Sequence, residues 1–180
     1  MAEGLPISVC RVGTPDGVKD YVTCLPQQTA FEHGLAPEAI IGVLLRPVDQ
    51  VAAITPDVFA RNRVFVDFLH EVIARRGPGL PGLVAEARRQ GDGWVYIVDR
   101  RTRDPHGHIP PKDIIGVFAV QGGRIAPDSY QRSPKHLILS ADGFFRLGAE
   151  LQACLLEELT ARAEQGTGAN GGGMERFRSS

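Results

Sequence analysis

Apolar residues along this chain fall first into short alternating or continuous runs, and later into helical spacing. Ile7 to Val12 and Val18 to Leu25 read as two strands. Thr14-Pro15-Asp16-Gly17 lies between them, with Pro at the first corner of a turn and Gly where a left-handed exit is needed. The expectation is a hairpin. Gln27 to Ala36 is polar and punctuated and reads as loop. Ile40 to Leu45 is an apolar, β-branched run between Pro37 and Pro47, as expected of a buried strand, and Val48 to Ile54 is the expected pairing partner.

A helix follows in the pattern. Thr55 is the expected N-cap, with Pro56 at the first helical position and Asp57 in the first turn. Val58, Phe65, Phe68, Leu69, Val72 and Ile73 recur on one face, Arg75 and Arg76 suit the negative end, and Gly77-Pro78 stops the run. His70 lies on the opposite, polar face beside Glu71. Leu80 to Gln90 is a shorter helix, broken by Gly91-Asp92-Gly93. Trp94 to Val98 is a strand rich in aromatic and β-branched residues. Asp113 to Val120 and Arg124 to Ala126 form a second hairpin around Gln121-Gly122-Gly123. Leu137 to Leu139 is a short strand. Ser140 is the expected cap of a last helix whose apolar side is Leu147, Leu151, Cys154, Leu155 and Leu159.

These elements predict an α+β fold: a mixed, mainly antiparallel sheet with helices packed on one face. They also suggest two pseudo-repeated β-β-α halves, 37–76 and 111–163. Pro37-Glu-Ala-Ile-Ile-Gly-Val43 matches Pro111-Lys-Asp-Ile-Ile-Gly-Val117 at five of seven positions. Thr55 to Arg61 is the expected counterpart of Ser140 to Arg146. The domain organisation expected is a single domain over 1–163. A Gly-rich tail over 164–180 has too little apolar surface to offset the entropy of ordering.

Composition changes this picture little. The chain has 180 residues, enough for one core, and a net charge of −1, which gives no general attraction to nucleic acid or to an anionic membrane. No apolar run is long enough to span a bilayer, and Met1 to Pro6 lacks the basic and apolar regions of a secretory signal. Cys10, Cys24 and Cys154 show no metal-binding spacing, and an odd count of thiols fits a cytoplasmic setting. The excess of Arg over Lys, with abundant Ala and Gly, reads as GC-rich coding rather than as a phosphate-binding signal.

Candidate chemistry concentrates in two polar loops, 99–112 and 127–136, which flank the second hairpin. The leading expectation is a non-catalytic binding or accessory protein that meets a protein partner through these loops, using Arg100, Arg101, Arg103, Tyr130, Arg132 and His136. A homo-oligomer is compatible with it. A second reading places a divalent metal on Asp104, His106 and His108, because two imidazoles two residues apart reach one ion only if the loop curls, with a third ligand such as Asp99, Asp104 or His136. On that reading the chain is a small metal-dependent enzyme; otherwise no cofactor is expected. A third reading has Arg100 to Arg103, beside Trp94 and Tyr96, binding single-stranded nucleic acid by stacking and charge. The balanced net charge weighs against it. No nucleophile-base pair, G-x-S-x-G or phosphate-gripping glycine loop is present.

Overall fold

The computed structural model describes residues 4–101 and 108–169. The described residues divide into two compact units: one of Leu5–Leu69 with α-helical residues from Leu155 onward, the other of Gly4 with His70–Cys154. The architecture is α+β, and every strand pairing is antiparallel.

In the first unit, β1 (Ser8–Thr14), β2 (Gly17–Thr23), β3 (Ile40–Leu44) and β4 (Phe59–Arg61) form one sheet in that order. The expected hairpin is present: Thr14 pairs with Gly17, the Thr14 hydroxyl donates to the Gly17 carbonyl at 2.7 Å, and Gly17 has φ 110°. A short helix α1 (Gln27–His33) occupies part of the stretch expected to be loop. It buries Ala30 and ends at Gly34 with φ 80°.

The partner of β3 is not Val48 to Ile54. Val51, Ala52 and Ala53 form an exposed 3-10 turn, and β4 takes the place beside β3. Gly42 explains the choice. A Cβ there would overlap the ring of Phe59, so the glycine makes room for this aromatic to cross β3. Helix α2 (Arg63–Arg76) therefore starts later than Thr55. Asn62 caps it, accepting the Val64 N–H at 3.2 Å and donating its amide to the carbonyls of Pro37 and Ile40 at 2.8 Å. Thr55 instead bonds Asp57, which pairs with Arg46. Phe65 and Leu69 of α2 and Leu155 and Leu159 of α4 (Ala149–Ala169) are fully or almost fully buried, as are Val22 and Ile41.

In the second unit, α3 (Pro81–Gln90) has Pro81 in its first turn and ends at Gly91 with φ 78°. It lays Leu83 and Ala87 on Val95 and Val120 of β5 (Gly93–Val98) and β6 (Ile114–Gln121). The expected second hairpin turns through Gly122 and Gly123, both with positive φ, into β7 (Arg124–Ile125). Tyr130 to Arg132, expected as loop, contains the two-residue strand β8 (Gln131–Arg132), which also pairs with β6. Ser140 does not cap a helix. It lies in β9 (Leu139–Ser140), which turns back as β10 (Gly143–Phe144), with Gly143 at φ 98°. Helix α4 runs on past Glu164, where the tail is expected to begin.

The two sheets share a register. In the first, Val22 faces Gly42, Tyr21 faces Val43, and a bulge follows Val22. In the second, Ile97 faces Gly116, Tyr96 faces Val117, and a bulge follows Ile97. Gly42 faces Arg61 and Gly116 faces Arg132. Next in each chain, the Asn62 N–H donates to the Ile41 carbonyl at 2.8 Å and the Ser133 N–H to the Ile115 carbonyl at 2.9 Å. The correspondence therefore joins Phe59–Arg61 with Tyr130–Arg132. The expected match of Thr55–Arg61 with Ser140–Arg146 is not part of it, because the latter stretch is the β9–β10 turn.

Candidate functional site

The bulge at the end of β5 delivers Asp99 into the protein interior, with no side-chain surface left to solvent. A buried carboxylate is stable only when hydrogen bonds replace its water. Here they come from three directions. Oδ1 accepts the N–H groups of Arg101 at 3.0 Å and Arg146 at 2.9 Å. Oδ2 accepts Nη2 of Arg101 at 2.7 Å and lies 2.9 Å from Nε2 of His136. Burial pushes the Asp99 carboxyl up, but the bonds to His136, Arg101 and the two backbone amides outweigh it and hold the group below its ordinary value.

Arg101 extends the cluster. Its Nη1 donates to the Ser140 hydroxyl at 3.0 Å and the Gly143 carbonyl at 2.7 Å, and its Nη2 also donates to the Leu137 carbonyl. Asp113, itself buried, lies 3.6 Å from the same Nη2. His136 sets its ring edge-on to Phe145 at 6.3 Å between centroids. Backbone bonds run beside these contacts: Asp99 N–H to the Asp113 carbonyl, Arg100 N–H to Arg146, and Leu137 N–H to Lys112. The cluster clasps three chain segments, 99–101, 111–113 and 136–146, through one carboxylate and one guanidinium.

A second polar contact lies on β6. Tyr130 crosses Gly116, where a Cβ would overlap its ring, and packs against Phe118 with centroids 5.0 Å apart. Its hydroxyl meets Nδ1 of His70 at 2.7 Å. His70 is buried, not on a solvated face, because it answers this hydroxyl. Burial raises the Tyr130 hydroxyl well above its ordinary value, against the opposing charge of Arg132.

The structure thus brings together Arg101 and His136 among the expected binding residues and turns both inward. Tyr130 is half-buried in its own contact, while Arg100 and Arg132 are exposed. His108 is exposed, whereas Arg103, Asp104 and His106 lie outside the described residues. Among the described residues, no cluster of three metal-binding side chains occurs. Cys24 is buried and its thiol is pushed up to about 12; burial raises half-buried Cys10 as well. Neither has the low thiol pKa that a nucleophile requires.

Sequence reasoning named Asp99 only among the alternatives for a third metal ligand, gave Asp113 no role and read Ser140 as a helix cap. One local signal was present: a carboxylate directly after the uncharged run Trp94–Val98, with an arginine two residues on. Counting from the matched bulges, Asp99 occupies the position of Cys24, and Asp113 that of Ala39. The clasp is thus a feature of the second sheet alone.

No helix among the described residues is long and apolar enough to cross a membrane. The chain matches no family model, and no curated protein or solved structure was found to be similar to it.

Proposed function

We propose that the chain is a non-catalytic binding protein that presents loops 99–112 and 127–136 to an acidic surface of a protein partner. The observation that carries this reading is the Asp99 clasp. One buried carboxylate holds residues from both loops, Arg101 and His136, so these two anchor points are fixed before a partner arrives. Pre-ordering lowers the entropy cost of association. The buried charges are engaged in anchoring, and among the described residues the two loops expose three basic side chains, Arg100, Arg132 and Lys135, against one acidic side chain, Asp128. Free thiols at all three cysteines support a cytoplasmic setting.

The matched registers of β2–β3–β4 and β5–β6–β8 support a common origin of the two halves. On that reading the second half gained its binding surface by insertion. Arg61 leads through Asn62 directly into α2, whereas β9 and β10 intervene between Arg132 and α4.

The test is affinity capture with the wild-type chain and with Arg132→Glu/Lys135→Glu. Both side chains are exposed, so the variant should keep its far-ultraviolet circular dichroism. The expected result is a partner retained by the wild type and lost at least about tenfold by the variant. Equal recovery by both proteins overturns the assignment to these loops.

A further inference from the structure

We propose that the outer edge of β5 is a pairing surface for a second copy of this chain, joined antiparallel through Trp94 and Tyr96. This inference is independent of the loop surface.

In an antiparallel ladder, backbone groups alternate between the two neighbouring strands. The Ala126 N–H donates to the Ala119 carbonyl at 2.8 Å, and the Ser133 N–H to the Ile115 carbonyl at 2.9 Å. Residues 115, 117 and 119 of β6 therefore face β7 and β8, and 116, 118 and 120 face β5. Trp94 lies opposite Ala119 and Tyr96 opposite Val117, so both point their own N–H and C=O away from β6. No described residue hydrogen-bonds to that edge. The two side chains share the face opposite α3 and are 45% and 53% exposed.

The first sheet shows what such an edge accepts. Tyr21 holds the register position of Tyr96, next to the glycine-facing residue and the bulge. Its outer edge is filled by β1, antiparallel, with Cys10 opposite Tyr21. Before β5 the chain offers no such strand, because α3 and Gly91 lead straight into it.

The occupant is argued from the strand itself. Natural edge strands are guarded by lysine, proline, charge or short length. Gly93-Trp-Val-Tyr-Ile-Val98 has six residues with no charge and no proline. Nothing in it repels a copy of itself. Antiparallel pairing about Val95 sets Trp94 against Tyr96 of the second copy, and Tyr96 against its Trp94. Both pairs join residues whose backbone groups already face outward. The rings stack on one face as cross-strand aromatic pairs. The contact is two-fold and closed, so it ends at a dimer. Its small area places the Kd on the order of micromolar or weaker.

Trp94 is the chain's single tryptophan, so its fluorescence reports this contact directly. Purified chain is followed from about 1 to 200 µM by sedimentation velocity and by Trp94 emission. Expected are a monomer-to-dimer transition, a blue shift with the same midpoint, and at least about a tenfold weaker dimer for Tyr96→Thr, which keeps strand propensity. Register is tested with Trp94→Cys and Tyr96→Cys, each in a Cys10→Ala background. Under oxidation the mixture should cross-link between the two variants, and each variant alone should not, since directly paired positions have disulfide reach. A wild-type chain that stays monomeric throughout overturns the proposal, including the case in which another protein's strand takes this edge. Dimers of unchanged strength in folded Tyr96→Thr, or no cross-link in the mixture, overturn it as well.

Discussion

Nε2 of His136 lies 2.9 Å from Oδ2 of Asp99, across a sequence separation of 37 residues and with both side chains almost wholly removed from water. A bond of this kind is strong because the alternative is a buried group without a partner.

Asp99→Asn keeps the shape and removes the charge. The Arg101 guanidinium then stays buried with Asp113 as its remaining carboxylate neighbour, at 3.6 Å. Breaking a buried ion pair from one side costs about 3–5 kcal/mol. The expected outcome is a loss of that size in urea or guanidinium unfolding, against less than about 0.5 kcal/mol for Arg132→Ala on the exposed strand β8. A loss under about 1 kcal/mol for Asp99→Asn would show that the clasp contributes little to stability.

The same carboxylate sets a pH dependence. Hydrogen bonds hold its folded pKa below the unfolded value, so the unfolded chain binds the proton more readily. The stabilisation is fully present above the unfolded value, near 3.9, and is lost as pH falls through the lower folded value. Stability should therefore decline below about pH 4 in the wild type. Asp99→Asn should show a shallower decline over that window, measured by urea unfolding at successive pH values. Parallel curves for the two proteins would assign the acid sensitivity to other groups.

Both hairpins were legible because their turns carry their own chemistry: Pro15-Asp16-Gly17 in one, Gly122-Gly123 in the other. Helix α3 was legible for the same reason, with proline at its start and Gly91 at its end. The start of α2 was not, since Thr55 and Asn62 are both good caps and the decision between them lies in β3. Gly42 admits Phe59, Phe59 places β4, and only then does Asn62 reach the carbonyls of Pro37 and Ile40. β8 was hidden likewise: Tyr130-Gln-Arg132 is polar and reads as loop until Gly116 offers its ring a seat. The two loops were legible as polar, punctuated stretches, but the buried contacts at Arg101 and His136 were not. Arg101 and His136 look like surface groups in sequence, and Asp99 draws them inward through contacts that no local pattern encodes.

Tyr130→Phe tests the second polar contact. The ring remains over Gly116 and against Phe118, while the hydroxyl that meets His70 is lost. The expected cost is about 1–3 kcal/mol, above the usual net value of one hydrogen bond, because the His70 ring is left in place and buried. Thermal unfolding measures it. A change within about 0.5 kcal/mol would mean that the Tyr130 hydroxyl adds nothing beyond the packing of its ring.

Gly42 and Gly116 give the last prediction, because the two positions make the same demand in different sheets. At Gly42 a Cβ would overlap the Phe59 ring and crowd the Ala60 carbonyl; at Gly116 it would overlap Tyr130. Neither glycine has a positive φ, so the cost of alanine comes from what the added carbon meets, the ring at both sites and the Ala60 carbonyl as well at Gly42, and not from the glycine's own φ. Overfilling a packed site costs typically about 1–3 kcal/mol, so each Gly→Ala variant should lose that much. Gly79 is the control, with nothing within 4 Å of the added carbon and an ordinary backbone, and Gly79→Ala should be neutral or slightly stabilising. The Gly116 variant should also disturb the His70–Tyr130 contact, since the ring must move to admit the methyl group. Combined with Tyr130→Phe it should therefore be less than additive. Full additivity in a double-mutant cycle would mean that the ring does not yield to the methyl group, and that the glycine serves some need of β6 other than seating Tyr130.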